Sequence, residues 1–169
     1  MEASLIVTYE PNHKASSKEE VENVFNAVDA KPKFLDSKYD GVFLLSISKP
    51  KEIVKELKKL AKKNVKLFAR TFHYIPVDKW VKSEIKEMQK AIKPLVKNIK
   101  EKEKWKMDLS MRYYDKHDFK ELIEKLTEIV DRENVDLDKP EKIIKVEIIE
   151  DKAAISLLEP EEFLETPKL

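Results

Sequence analysis

Hydrophobic and polar residues follow two different periods in the first half of the chain. After Ser17 and again after Pro50, apolar residues recur every three or four positions, which is typical of amphipathic helices. Ser17 and Glu20 have the spacing of a capping box, and Pro50 suits a helix start. The remaining apolar runs are short and β-prone, at residues 4–9, 33–35, 42–47 and 67–75. This order predicts a ferredoxin-like βαββαβ unit over residues 1–76.

The second half, residues 77–169, has its own alternation of helical and β-prone segments. Pro94 is expected to kink or split the first helix, because proline removes a backbone donor from the helix interior. The predicted elements are a helix over 85–99, a strand over 105–112, a helix capped by Asp118 with Glu121, hairpin strands at 143–149 and 153–158, and a helical turn near 159–164. We therefore predict an α+β chain with two domains, 1–76 and 77–169.

Composition narrows the functional class. The 169 residues include no cysteine and a single glycine, Gly41, so disulfides and glycine-rich phosphate loops are excluded. The N-terminus has no basic segment before its short apolar run, and no run approaches the roughly 20 residues of a membrane span. Charged residues make up 40% of the chain. We expect a cytoplasmic protein of a heat-loving organism, where ion-pair networks contribute more.

The sequence offers no catalytic constellation. His13, His73 and His117 fall on different predicted elements and have no nearby partner at metal-ligand spacing. The nucleophile motif G-x-S-x-G requires two glycines, and the chain has one. We predict that the chain is not an enzyme and uses neither cofactor nor metal, although hydrolysis by scattered acidic residues and a metal stays open.

Charge is distributed unevenly along the chain. The segment from Lys49 to Lys106 has 19 basic residues against seven carboxylates, a net charge of +12, which leaves −11 for the remainder. Such segregation favours one basic face and a polyanionic partner. The alternative is that these lysines lie among acidic residues on solvated helix faces.

Three sequence segments resemble a known RNA-binding family. Val135–Pro140 reads VDL-x-x-P, and it is followed by IKVEI within 143–149 and by AAIS within 153–156. This pattern resembles the C-terminal signature of the THUMP domain of tRNA-modifying proteins. The segment Arg70–Val77, with Lys82 six residues after Pro76, is similar to the stand-alone THUMP proteins that act as tRNA adaptors for cytidine N4-acetylation. The resemblance covers roughly residues 70–160.

The resemblance implies a partner and a set of contact residues. The partners would be tRNA and a separate RNA acetyltransferase that uses acetyl-CoA and ATP. Lys82 and Arg112 match basic positions of the family, whereas His73 stands where relatives tend to carry arginine. The candidate RNA contacts are Arg70, His73, Lys82, Lys106, Arg112, Lys116, His117, Lys139, Lys142 and Lys145.

Two other functions fit the same sequence. The chain is alternatively an RNA-binding subunit of another tRNA-modifying enzyme, a methyltransferase or a thiouridine synthase. It is otherwise a protein–protein scaffold built on the ferredoxin-like sheet. Tyr113 and Tyr114, next to Arg112, are candidates for stacking on an unpaired base or for covering the edge of a core. The oligomeric state is open.

Overall fold

The structure, a computed structural model, describes residues 2–169. The chain divides into two compact units. The first unit runs to Val77 and is completed by Glu161–Leu169, while the second comprises Asp78–Pro160. The sequence had placed residues 161–169 in the second domain, so the structure differs there.

The first unit has the predicted ferredoxin-like order. Its elements are β1 (Leu5–Tyr9), α1 (Lys14–Ala27), β2 (Lys33–Leu35), β3 (Val42–Ser46), α2 (Pro50–Lys63) and β4 (Thr71–Pro76). A fifth strand, β9 (Leu164–Glu165), comes from the end of the chain and pairs with β4, so that the sheet has the order β2-β3-β1-β4-β9. Both helices contribute side chains to a buried core that includes Phe25, Leu57 and Tyr74.

The first helix starts earlier than its capping-box pattern predicted. Helix α1 begins at Lys14, and Ser17 is buried inside it instead of capping it. The Glu20 carboxylate accepts the backbone N–H groups of Arg70 and Thr71 at 2.8–3.1 Å, so this acid holds the start of β4. Residues 65–68 form a 3-10 turn, which is why β4 begins at Thr71 and not at residue 67.

The second unit is a four-stranded sheet with two helices. Its elements are β5 (Lys79–Lys82), α3 (Ile85–Val96), β6 (Trp105–Arg112), α4 (Phe119–Thr127), β7 (Lys142–Ile149) and β8 (Lys152–Leu158). The strand order is β5-β8-β7-β6, and only β6 and β7 are parallel. Side chains of both helices join one face of the sheet in a core that includes Met88, Ile92, Leu122, Val146 and Ile155.

Two local predictions for the second unit meet different outcomes. The hairpin turn at Glu150 and Asp151 is confirmed, and Glu150 adopts φ 56°, the left-handed conformation that glycine tolerates best. Helix α3 is not split at Pro94 but continues to Val96. Pro94 is exposed and close to the helix end, so water can reach the carbonyl of Lys90 that proline leaves without its helical donor.

Candidate nucleic-acid interface

Four lysines line the outer side of α3. At 1.5 Å per residue, the row is about 16 Å long. Spacings of four, three and four residues place its members on one helix face, opposite the buried residues Met88, Ile92 and Val96. All four are exposed, and we call them the α3 lysine row: Lys86, Lys90, Lys93 and Lys97.

The α3 lysine row differs from a similar row on α2 in its ion pairs. On α2, Lys55, Lys58 and Lys62 lie 3.7–4.0 Å from the carboxylates of Glu161 and Glu162. Within residues 2–169, no carboxylate lies within salt-bridge distance of any member of the α3 row. The positive charge of α2 is therefore partly balanced by the end of the chain, whereas the lysines of α3 face solvent with no ion pair among the described residues.

Three further cations lie in one row across the end of the second sheet. Lys82 pairs with Lys152 in the strand register, Lys152 with Ile149, and Ile149 with Arg112. Because neighbouring strands are about 4.8 Å apart, the backbones of Lys82 and Arg112 are separated by about 14 Å. Lys82 and Lys152 are exposed, and Arg112 is half-buried. The two predicted contacts Lys82 and Arg112 thus share one end of the sheet.

Hydrogen bonds connect the loops at this end of the sheet. The Ser83 hydroxyl donates to the carbonyl of Glu150 at 2.7 Å, and the Tyr114 hydroxyl donates to the carbonyl of Ser83 at 2.9 Å. Burial, with the nearby Glu121 and Glu84 carboxylates, raises the pKa of Tyr114. Tyr114 therefore covers a core edge, whereas Tyr113 is 60% exposed at φ 55°.

The start of α4 is capped as the sequence predicted. The Asp118 carboxylate accepts the backbone N–H of Glu121 at 2.7 Å. His117 lies 2.7 Å from the Glu121 carboxylate, and Lys116 is exposed beside it. A phosphate at this helix end would compete with the carboxylate of Asp118. Of the two predicted contacts here, Lys116 is the more accessible, because His117 is half-buried beside the Glu121 carboxylate.

Loss of this cap should weaken the second unit. Asp118→Ala removes the acceptor for the Glu121 N–H and is expected to cost about 1 kcal/mol of unfolding free energy. The thermal midpoint should fall by roughly 2–4 °C. Asp115→Ala, an exposed neighbour outside the cap, is the control for the lost charge and should leave the midpoint unchanged.

The two predicted contacts in the first unit are engaged within that unit. The Arg70 guanidinium lies 3.2 Å from the Glu10 carboxylate. His73 contacts the Thr8 hydroxyl at 2.9 Å and the Glu165 carboxylate at 3.5 Å. These pairs hold β4 to its neighbours, so an RNA phosphate would have to displace a carboxylate to reach either side chain.

The pair of His73 with Glu165 predicts a pH dependence of stability. The hydrogen bond from His73 lowers the pKa of Glu165 to about 2, from an ordinary value of 4.5. Because the folded state favours the ionised form of this carboxylate, its contribution to the free energy of unfolding is complete above pH 4.5. That contribution is lost as the pH falls toward 2. Thermal midpoints measured across this range should fall more steeply for the natural protein than for Glu165→Gln. Parallel curves would contradict the assignment.

The predicted contacts on the last hairpin and on the neighbouring strand β6 differ in how accessible they are to a phosphate. Lys145 is 1% exposed and lies 3.3 Å from Asp108 and 3.9 Å from Glu147, where a phosphate cannot reach it. Lys142 lies 2.7 Å from Glu103, and the hydrogen bond from Lys142 lowers the pKa of that carboxyl. The two remaining members of this group are accessible: Lys106, which is half-buried, and Lys139, which is exposed.

The Val135–Pro140 segment is a turn beside the start of β6. The Asp136 carboxylate accepts the backbone N–H groups of Asp138 and Lys139 at 3.0 Å, and these bonds lower its pKa. The backbone N–H of Asp136 donates to the carbonyl of Trp105 at 2.9 Å. Asp136 therefore shapes the loop, while the apolar side chains on either side of it are exposed.

The described residues contain no cluster of three or more His, Asp or Glu side chains suited to a metal ion.

Two grooves of about 430 and 420 Å³ lie on the surface of the first unit, and Phe34 lines both of them. No helix in residues 2–169 is both long and apolar enough to cross a bilayer.

A ferredoxin-like unit joined to a small α/β unit with a solvent-facing lysine row defines a class of protein suited to polyanions. Residues 82–158 match the family model of the THUMP domain. This match confirms the predicted THUMP domain for residues 82–158, and THUMP domains are RNA-binding modules of tRNA-modifying enzymes. No curated protein matches the chain.

Solved structures share the fold across both units. PH1313 from Pyrococcus horikoshii Ot3 matches 92% of this chain and 54% of its own, with a TM-score of 0.60 and 15% identity. TrmN from Thermus thermophilus matches 90% of this chain and 44% of its own, with a TM-score of 0.57 and 13% identity. A 4-thiouridine synthetase, solved with RNA and ATP, matches 95% of this chain and 41% of its own, with a TM-score of 0.53 and 16% identity. The chain spans about half or less of each structure, and identities this low show the fold alone.

The α3 lysine row is not among the contacts predicted from sequence, because a charge count over a whole segment does not resolve helix faces. Its signal was present in the sequence. Lysines at spacings of four, three and four residues lie opposite an apolar stripe, and such a pattern indicates one charged helix face. Sequence alone does not show that the comparable row on α2 meets Glu161 and Glu162.

Proposed function

We propose that this chain is a tRNA-binding adaptor that presents tRNA to a separate RNA acetyltransferase for N4-acetylcytidine formation. The observation that carries the proposal is the α3 lysine row, a solvent-facing line of cations in a THUMP domain that form no ion pair with any carboxylate of residues 2–169. Lysine supplies point charges to phosphates without reading bases. The proposed interface therefore holds the tRNA body by its backbone and leaves sequence selection to other contacts.

Lys82 and Lys152 extend the proposed interface to the end of the sheet, where both are exposed. Arg112 belongs to the same row but is half-buried, so it is the weakest phosphate contact of the three. Lys116 and Lys139 remain candidate contacts because both are exposed. Arg70, His73, Lys142 and Lys145 are weaker candidates, because each already lies beside a carboxylate.

We further propose that the partner, and not this chain, performs the chemistry. The three histidines are dispersed: His13 lies near Glu10, His73 near Glu165 and His117 near Glu121. In this proposal the acetyltransferase brings acetyl-CoA and ATP. The adaptor contributes by tethering the tRNA, which raises the local concentration of the target cytidine at the active site.

The segments that resemble acetylation adaptors support the choice of partner. They are Arg70–Val77 with Lys82, and Val135–Pro140 with the hairpin that follows. Reconstitution tests this choice directly. tRNA, acetyl-CoA, ATP and a purified RNA acetyltransferase should form N4-acetylcytidine faster when the chain is added. An unchanged rate, measured with a chain that still binds tRNA, would contradict the adaptor function.

A salt titration tests the RNA interface independently of the partner. Affinity for tRNA should fall steeply with salt, with a log–log slope of about 0.7–0.9 per contacted phosphate. A flat response would favour a protein–protein scaffold and contradict an electrostatic RNA interface.

A second candidate function keeps the RNA interface and changes the enzyme. The similar structures include TrmN and a 4-thiouridine synthetase, in which the matched region is under half of the chain. This likeness favours an RNA-binding subunit for a methyltransferase or a thiouridine synthase. Mass spectrometry of tRNA nucleosides from cells lacking the chain separates the candidates, since adaptor function predicts loss of N4-acetylcytidine alone.

A further inference from the structure

Strand β6 forms a long open edge of the second sheet. It has eight residues, and within residues 2–169 it pairs only with β7, apart from a bridge between Trp105 and Val135 at its start. The other sheet edges are much shorter: β2 has three residues, β9 two and β5 four. Proteins normally shorten or cover such edges because unpaired backbone groups attract another strand.

The direction of the backbone groups shows which part of β6 is open. The N–H of Trp105 donates to Asn134 and its carbonyl accepts from Asp136, so both groups of Trp105 point away from β7. Alternate residues of a strand point the same way. The outward groups of Met107, Leu109 and Met111 therefore lie along the edge. Across residues 2–169, no hydrogen bond reaches them from outside the sheet.

Exposed apolar side chains lie at both ends of this edge. Val135 is 57% and Leu137 70% exposed in the loop beside its start, and Tyr113, which follows its last residue, is 60% exposed. Large apolar side chains grouped on a surface indicate a protein partner more than a phosphate backbone. They also distinguish this surface from the α3 lysine row, which is wholly cationic.

Arg112 indicates the charge of the partner. Its Nε atom is buried and has no hydrogen-bond partner among the described residues. A buried guanidinium N–H without an acceptor is destabilising, and a carboxylate on an added strand would supply one. A strand that pairs beside Arg112 should therefore carry an acidic residue at that position.

A second copy of this chain fits the edge poorly. Two-fold antiparallel pairing of β6 with itself, centred on Leu109, places Lys106 directly opposite Arg112. Like charges directly opposite each other on paired strands are destabilising. The charges thus favour a different polypeptide over a homodimer formed through this edge.

We infer that the β6 edge docks an extended segment of the RNA acetyltransferase, with apolar residues flanking an acidic residue that pairs with Arg112. This inference rests on the proposed function and specifies the partner surface for it. The added strand would make backbone hydrogen bonds with Met107, Leu109 and Met111, the mode known as β-strand addition. RNA would then occupy α3 while the enzyme occupies the sheet edge.

Hydrogen exchange of the full chain tests the inference. Adding purified acetyltransferase should slow exchange of the outward amides of Met107, Leu109 and Met111 by about tenfold or more. Addition of tRNA alone should leave them unchanged. Protection by tRNA alone, or by raising the concentration of the chain alone, would overturn the inference in favour of RNA or a second copy. Stimulated acetylation without protection would overturn it while the adaptor function stands, and absence of both would overturn both.

Two variants test the edge separately from the RNA interface. Met111→Pro removes one outward N–H, which an edge strand tolerates, and Leu137→Asp places a charge in the apolar flank. Each should weaken acetyltransferase binding by about tenfold or more while preserving tRNA affinity, and Leu137→Asp, at an exposed side chain, should also preserve the thermal midpoint. Leu67→Asp, at an exposed leucine of the first unit, is the matched control. Full binding by both variants would overturn the inference.

Discussion

Replacing all four members of the α3 lysine row with glutamine is expected to lower tRNA affinity by about 100-fold near 0.1 M salt. Each lysine releases a condensed counterion when it meets a phosphate. If all four contact phosphates, the log–log salt slope should fall by about three. Filter binding across a range of salt concentrations measures both quantities. The effect should be similar for tRNAs of different sequence, because the contacts are to the backbone.

The matched control removes the same charge elsewhere. Four exposed lysines of the first unit have no ion pair among the described residues, so their replacement by glutamine should leave both folds intact. They are Lys31, Lys33, Lys63 and Lys66. Their loss changes net charge equally and should alter the affinity only slightly. Equal effects of the two quadruple variants would mean that total charge, and not the α3 lysine row, determines tRNA binding.

The largest effect on stability is expected at Lys145. Lys145→Met leaves the carboxylates of Asp108 and Glu147 without their cation inside the second unit. Removal of one partner from a buried ion pair typically costs about 3–5 kcal/mol. Urea unfolding, followed by the fluorescence of Trp80 and Trp105, should show a corresponding decrease in the free energy of unfolding.

A double variant separates lost charge pairing from lost packing. Lys145→Met with Glu147→Leu removes both fully buried charges and should recover much of the stability. Lys79→Met, at an exposed position on β5, controls for the substitution itself. If Lys145→Met is as stable as the control and instead loses tRNA affinity, then Lys145 is an RNA contact and the structural role is wrong.

Local sequence patterns were sufficient to predict those elements that depend on interactions between neighbouring residues. Residues Trp105–Arg112 form the predicted strand, and Asp118 caps the predicted helix through a bond to Glu121. Both depend on neighbours in the sequence, through strand propensity or capping geometry. The ferredoxin-like order was predictable for the same reason, because every helix and strand had its own period.

Predictions were wrong where a distant residue takes over a local signal. Ser17 and Glu20 have the spacing of a capping box, but the Glu20 carboxylate accepts the backbone N–H groups of Arg70 and Thr71 across the unit. Strand β9 has two residues, too few for any alternation, and it depends on pairing with β4. Lys145 looked like a surface cation because its partner Asp108 lies 37 residues earlier in the chain.

The interface was only partly predictable for a similar reason. A tally of charge by segment located the basic region but treated α2 and α3 alike. The difference between them comes from Glu161 and Glu162, which lie about 100 residues beyond α2 in sequence. Tertiary neighbours thus decide which lysines stay accessible, and a count of charges in the sequence does not show those neighbours.

Strand β9 also sets an order of events during synthesis. Residues 78–160 lie between β4 and β9, so the ribosome completes the entire THUMP region before the first unit can receive its last strand. Until then the lysines of α2 lack the glutamates that neutralise them in the finished fold. A nascent chain halted before residue 161 should therefore adhere to ribosomal and transfer RNA less selectively than the released protein does.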